Sequence, residues 1–297
     1  MDVDTRLLRY FQAVAEEGNL TRAAARLYLS QPALTKQIRQ LEDRLGATLF
    51  ERSKAGMALT GPGAALAESL DAVLDAWSRA EHAVRAAEAQ ASKVLRIGFL
   101  ASAANEKTQR IIAAFRELRP DWRVELRQAS WGAPTEALVS GEVEAAFMRV
   151  PFPDQEAFHL LELLTEPRCV AMAADHPLAQ RETLAFAELV DEPFIAAPAA
   201  TGAFRDHWLG AESRGGRPVK VGAVTEHPDD WLTAIANGDG IALAPASAAR
   251  YYARPDIAYR DLEGVAPSTV ALAWPKSLKP TPALADFIRA ASEAADR

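Results

Sequence analysis

Apolar positions along the chain follow two different rules, and the change falls near residue 92. Before it they recur at helical spacing. Leu7, Leu8, Phe11, Val14 and Ala15 predict a helix over about 5–17, which Gly18 stops. Asn19 or Thr21 is placed to cap a second, short helix with Leu20, Ala23, Ala24 and Leu27 on its buried side. The stretch "LYLS" makes a turn, and Ser30 caps a third helix in which Leu34, Ile38, Leu41 and Leu45 form one buried stripe. Pro32 falls in the first turn of that helix, where a missing N–H costs nothing. Phe50, Met57 and Leu59 then alternate with polar residues around Gly56, as a small β-hairpin would. Thr60 caps a longer helix over about 61–91. Its apolar residues Leu66, Leu70, Val73, Trp77, Ala80, Val84 and Ala87 alternate steps of four and three, a coiled-coil repeat. Such a seam needs a partner. A second copy of the chain is the favoured one, and the chain's own body is the alternative.

Past residue 92 short apolar runs alternate with helical segments. "VLRIGF", "WRVELRQ" and "EAAFMRV" read as strands, with helices over about 105–118 and 133–140 between them. "RCVAMAA", "FIAAPA", "PVKVGAV" and "IALAP" continue the pattern, with helices over about 204–211 and 229–237. "TVALAW" and a helix over about 280–294 close the chain. Strands alternating with helices predict open, largely parallel α/β sheets. Two lobes are expected, the first from 93–163 and 264–297, the second from 164–263.

Charge sharpens one part of this picture. Residues 1–60 hold nine Lys/Arg against seven Asp/Glu, a net +2, within a chain of net charge −7, so the remainder carries −9. A slightly basic head on an acidic body suits an anionic partner for the head alone. In the third helix, Gln31, Thr35, Lys36 and Arg39 lie beside the buried stripe with no carboxylate until Glu42. These side chains bond phosphates and base edges, where a carboxylate would be repelled. A merely solvated face is the bland alternative. The order of short helix, tight turn and capped third helix favours a helix-turn-helix on DNA. Arg52 and Lys54 in the hairpin can reach flanking phosphates.

The chain resembles the LysR-type transcriptional regulators. The specific part is "LRYFQAVAEEGNLTRAAARLYLSQPALTKQIRQLEDRLGATLFERSKAGMALTGPG", and "DHPLA" and "NGDGIALAP" are phrases similar to the family's effector domain. The resemblance implies a winged helix-turn-helix over 1–60, a dimerisation helix over 61–92, and over 93–297 a two-lobed effector domain like the type 2 periplasmic binding proteins. It also implies a cytoplasmic homo-oligomer, commonly a dimer of dimers, that binds promoter DNA, responds to a small molecule and acts on RNA polymerase. The family's DNA-contacting positions fall on Thr21, Ser30, Gln31, Pro32, Thr35, Lys36 and Arg39, with Arg52 and Lys54 in the wing. Ala55 and Ala58 stand where relatives often carry a further basic residue, so a weaker hold on phosphate is expected.

In a two-lobed α/β protein ligands sit at strand C-termini near helix N-termini. That rule singles out Ser102, Ser130, Trp131 and Arg149 in the first lobe and Thr201, Gly202, Phe204 and Thr225 in the second. Helix N-termini hold carboxylates, and Arg149 would add a forked donor, so a small organic acid is the favoured effector class. Trp131 and Phe204 would sandwich an apolar body. Against this, Ser102, Thr201 and Thr225 also suit simple helix caps, Trp131 the core, and Arg149 a surface ion pair.

Other functions find little purchase. The five histidines show no metal-ligand spacing, no glycine loop cradles phosphate, and no GxSxG elbow occurs, so neither enzyme, metal nor cofactor is expected. A solute-binding protein would explain the lobes but leave residues 1–90 without a purpose. No apolar run approaches a membrane span. The single cysteine, Cys169, lies in an apolar strand-like run and reads as a buried small hydrophobe rather than a redox sensor.

Overall fold

A computed structural model describes residues 4–27, 29–53, 56–103 and 105–295, leaving aside the side chains of Arg52, Ser53 and Glu106. It falls into two compact units, Met1–Ala83 and Val84–Arg297.

The first unit opens with three helices whose ends are set by local chemistry. Helix α1 (Thr5–Glu17) is capped by Asp4, which accepts from the Arg6 N–H at 2.8 Å, and ends on Gly18 in the left-handed region. Helix α2 (Leu20–Arg26) is capped by the Asn19 side chain, and α3 (Gln31–Leu45) by Ser30, with Gly46 ending it. Strands β1 (Phe50–Ser53) and β2 (Gly56–Leu59) pair antiparallel as the wing, and α4 (Gly61–Ser92) follows from the Thr60 cap. Leu7, Phe11, Ala23, Leu34 and Leu41 interlock in the core, and Phe11 meets Phe50 with ring centres 5.0 Å apart. The entry to α4 demands a glycine: a Cβ on Gly63 would sit 2.1 Å from the Leu49 carbonyl oxygen.

In the second unit, β3 (Val94–Leu100), α5 (Glu106–Leu118), β4 (Arg123–Ala129), α6 (Glu136–Val139), β5 (Ala145–Val150) and β6 (Phe158–Glu166) begin the first lobe. The second lobe holds β7 (Arg168–Ala173), β8 (Thr183–Ala185), β9 (Pro193–Ala196), α7 (Ala203–Trp208), β10 (Lys220–Val224), α8 (Pro228–Ala236), β11 (Ala242–Pro245), α9 (Ala248–Tyr251) and β12 (Ile257–Glu263). The chain then returns to the first lobe as β13 (Ser268–Pro275) and α10 (Pro282–Ala295). The first sheet has the order β4-β3-β5-β13-β6 and the second β11-β7-β12-β8, with β9 and β10 forming a parallel pair beside β11.

Four expectations change. The sheets are mixed: β13 runs antiparallel to both β5 and β6, and β7 to both β11 and β12. A strand that re-enters from the other lobe sets its direction by where the chain crosses, which alternation in sequence does not encode. Strands β6, β8 and β12 were not expected. In "FHLLELLTE" doubled leucines break the period-two pattern of β6, which borders only one neighbour. The helix expected over 133–140 shrinks to α6, whose Thr135 makes no side-chain cap. Because β6 stays in the first sheet to Glu166, the chain crosses to the second lobe at Pro167, four residues beyond 163.

Candidate nucleic-acid and ligand sites

The stripe Leu34, Ile38 and Leu41 is buried, which turns the rest of α3 outward. Gln31, Pro32, Lys36 and Arg39 are exposed and, with half-buried Thr35, line a shallow surface groove that ends at Gln40 and Asp43. Ser30 and Thr21 are exposed at the starts of α3 and α2. The Thr35 hydroxyl donates to the Gln31 carbonyl at 2.8 Å, which fixes its rotamer, and Ser30 Oγ accepts from the Ala33 N–H at 3.3 Å. The first acid after this face is turned away from it. Glu42 Oε1 accepts from the Leu49 N–H at 2.8 Å and the Phe50 N–H at 3.3 Å, anchoring the strand that enters the wing. Arg22 and Arg26 nearby pair with Glu17 and Glu16. Arg52 lies in β1, and its side chain is outside the description, as is all of Lys54.

Between the lobes of the second unit lies a cavity that is open on one side, with about 560 Å³ of atom-free space when the part open to solvent is counted. Four of the expected residues meet in its wall: Ser102, Trp131, Phe204 and Thr225. Trp131 faces Trp231 edge-on across the cleft, ring centres 6.2 Å apart, and the Trp131 backbone N–H donates to the Glu226 carbonyl at 3.2 Å. Gly132 permits this approach, since a Cβ there would sit 2.9 Å from Glu226 Oε2. Trp208, Trp231 and Tyr252 complete an aromatic lining that the sequence reading did not find. Trp231 stands one turn into an expected helix, a signal that was available, whereas Tyr252 follows the unforeseen α9. Burial pushes the Tyr252 phenol up to about 12, ahead of the opposing pull of Arg149, so it stays protonated.

The other four expected residues lie elsewhere. Ser130 borders a separate, more open groove with Gln128, His227 and Asp229, and its Oγ accepts from the Gly132 N–H. The Thr201 hydroxyl is buried and donates to the Pro198 carbonyl at 2.7 Å. Gly202 is an exposed link into α7 with φ of +48°. Arg149 is neither on the surface nor in the cavity wall. Fully buried, it donates to the Ser102 carbonyl from Nε (3.1 Å) and Nη2 (2.6 Å), to Ser268 Oγ from Nη1 (3.2 Å), and to Glu166 Oε1 from Nη2 (2.7 Å). Glu166 in turn accepts from the Ser247 N–H (2.7 Å) and hydroxyl (3.0 Å). This network ties both crossings between the lobes to the loop under the cavity. Burial lowers the guanidinium's affinity for its proton, and Glu166 pulls it back up.

Residues 88–296 match the LysR substrate binding domain, and residues 5–64 match the bacterial regulatory helix-turn-helix protein, lysR family. The chain belongs to the LysR family of transcriptional regulators.

As in that family, a DNA-binding helix-turn-helix precedes an effector-binding domain, and the chain is a regulator and not an enzyme. Among LysR-type relatives, the Hca operon transcriptional activator HcaR of Escherichia coli (strain K12) is 32% identical over 299 residues, covering 98% of each chain. The regulator BenM of Acinetobacter baylyi is 35% identical over 256 residues, 82% of this chain and 81% of BenM. The crystal structure of CbnR, a LysR family transcriptional regulator, superposes with a TM-score of 0.55 at 27% identity, covering 97% of this chain and all of CbnR.

Helix α4 does not use its whole heptad seam in one way. Leu70 is buried and Leu66 half-buried against the core of the helix-turn-helix, so these two positions are met by the chain itself. Val73, Trp77 and Val84 are 49%, 45% and 71% exposed, and Ala80 and Ala87 between and beyond them are exposed too. Cys169 is buried with its Sγ 3.5 Å from the Pro245 carbonyl. Desolvation, with Glu166 and Asp261 adding to it, pushes the thiol up to about 12, so thiolate chemistry is shut off there. Among the described residues no cluster of His, Cys, Asp and Glu is arranged to hold a metal ion, and no helix is long and apolar enough to cross a membrane.

Proposed function

We propose that this regulator reads promoter DNA with the outward face of α3 and changes its action when a small organic molecule occupies the cavity between its lobes. In this reading residues 1–60 are the DNA-reading head, 61–92 the pairing helix and 93–297 the effector domain. The observation that carries it is the run Gln31, Pro32, Thr35, Lys36 and Arg39, exposed but for half-buried Thr35 and free of carboxylates, on the outward side of a capped helix. Thr21, Ser30, Arg52 and Lys54 flank it as phosphate contacts. The exposed part of the α4 seam, from Val73 to Ala87, pairs two copies, and two such dimers set four heads along the promoter in the cytoplasm. Transcription then responds through DNA bending or contact with RNA polymerase. A ligand achieves this only by binding one arrangement of the lobes more tightly than another.

For the effector, two classes compete. An organic acid draws on the helix N-termini around the cleft, and an uncharged aromatic molecule draws on the wall itself. The test of the regulator reading is a footprint of the purified protein on DNA upstream of its own gene over a salt series, then on genomic fragments. Protection of a two-fold-related site that weakens steeply with salt is expected. Failure to bind any genomic DNA at low salt would refute the reading.

A further inference from the structure

Resting on that ligand-responsive reading, we infer that the cavity between the lobes takes an uncharged aromatic molecule bearing one hydroxyl or carbonyl group, which pairs with Thr225, and that it rejects carboxylates.

The wall decides this. Its side-chain polar groups, among the described residues, are the hydroxyls of Ser102, Thr225 and Tyr252 and the indole N–H groups of Trp131, Trp208 and Trp231, all neutral at pH 7, and no lysine or arginine belongs to it. Three guanidinium groups approach from behind, and each is tied to a backbone carbonyl: Arg149 to Ser102, Arg205 to Ala197, and Arg168 to His207. Arg149 has in addition a full counter-charge in Glu166. The helix ends that argued for an anion are also compromised. Helix α8 begins with Pro228, which has no N–H, and carries Asp229 and Asp230 in its first turn, so its positive end is already met by two carboxylates. Helix α7 has only six residues.

A carboxylate in this chamber would lose its water and gain no cation. That makes its binding at least about a hundredfold weaker than that of a neutral molecule of the same shape. One polar atom in the wall asks for a partner. Thr225 is 7% exposed, its N–H donates to the Ala196 carbonyl at 2.9 Å, and its Oγ1 has no hydrogen-bond partner among the described residues. With the backbone so held, the hydroxyl can move only by turning about Cα–Cβ, in a wall that is otherwise mostly apolar, and it is able to donate to a carbonyl or accept from a hydroxyl. Trp131, Trp231, Trp208 and Phe204 provide edges and faces for one flat ring.

The experiment is a titration of the full-length protein with toluene, benzyl alcohol and benzoate at pH 7, read by calorimetry and by tryptophan fluorescence, and repeated with Thr225→Val. Benzyl alcohol should bind tighter than toluene, and benzoate at least about a hundredfold more weakly than benzyl alcohol. Thr225→Val should cost benzyl alcohol about five- to tenfold and leave toluene unchanged, a pattern a structural defect would not produce. Benzoate binding as tightly as benzyl alcohol would overturn the inference and leave the ligand-responsive reading intact, as would an equal loss of toluene and benzyl alcohol in the variant. Failure of all three probes up to saturation would overturn the inference alone, and the ligand-responsive reading would fall only if no small molecule altered the DNA footprint.

Discussion

Replacing Arg149 with leucine tests whether the two lobes are held by the buried network that joins them. The wild-type guanidinium makes four hydrogen bonds within 3.2 Å, one of them to the Glu166 carboxylate, and no part of it reaches solvent. Leucine fills part of the space but leaves Glu166, itself 8% exposed, with only the Ser247 N–H and hydroxyl as partners. A buried carboxylate stripped of its cation costs about 3–5 kcal/mol, more than the loss of any one hydrogen bond. The second variant, Arg149→Leu with Glu166→Gln, removes the stranded charge while keeping an acceptor for Ser247. It should recover about half of that loss, roughly 2 kcal/mol, and with Glu166→Gln alone as the third corner of the cycle the coupling energy should exceed that figure, because the single change strands the buried guanidinium. Urea unfolding followed by tryptophan fluorescence measures both. Five of the six tryptophans, 122, 131, 208, 231 and 274, lie in the second unit, so the signal reports on it. An Arg149→Leu protein within about 1 kcal/mol of wild type, or a double variant as unstable as the sum of its parts, would refute the reasoning.

The other predictions concern the head, the linker and the thiol. Lys36→Ala and Arg39→Ala should each weaken DNA binding, by about 1–3 kcal/mol where a base edge is contacted, and a lost phosphate contact should flatten the salt dependence by about one charge, measured by fluorescence anisotropy over a salt series. Glu42→Ala leaves the Leu49 and Phe50 N–H groups without their carboxylate and should lower the head's stability by about 1–3 kcal/mol in a calorimetric scan, with the outward face of α3 unchanged. Val84→Glu puts a charge on the exposed seam of α4 and should shift the protein toward smaller species in sedimentation velocity, whereas Ala86, off the seam, should tolerate the same change. Cys169, with its thiol raised to about 12, should resist iodoacetamide at pH 8 in the folded protein and react once urea exposes it.

Much of the first unit was legible because its determinants are local. Asp4, Asn19 and Ser30 cap helices from positions next to the chain they cap, and Gly18 and Gly46 end α1 and α3 by their own freedom of φ. The outward position of Lys36 and Arg39 follows from helical period alone, since burying Leu34, Ile38 and Leu41 leaves them no other side of α3 to occupy. The repeat along α4 was equally clear, but its partners were not. The same steps of four and three bury Leu70 in the core of the first unit and leave Val84 exposed, because a repeat in sequence does not say which of its positions the rest of the chain covers.

In the second unit the strands of the two sheets could be found only where alternation was clean, and their directions not at all. The cavity wall draws Ser102 and Trp131 from one lobe and Phe204, Thr225, Trp231 and Tyr252 from the other, brought together by two chain crossings that carry no local signal. Arg149 marks the limit most sharply. At the end of a strand near a cleft, a sequence offers it three fates: ligand, surface pair or buried strut. Glu166 and Ser268, 17 and 119 residues away, make it a strut, because a guanidinium is stable in the interior only where distant parts of the chain supply its counter-charge and acceptors. Charge, period and caps belong to neighbours in sequence, and tertiary structure alone decides which polar groups are already satisfied and which remain open to a ligand.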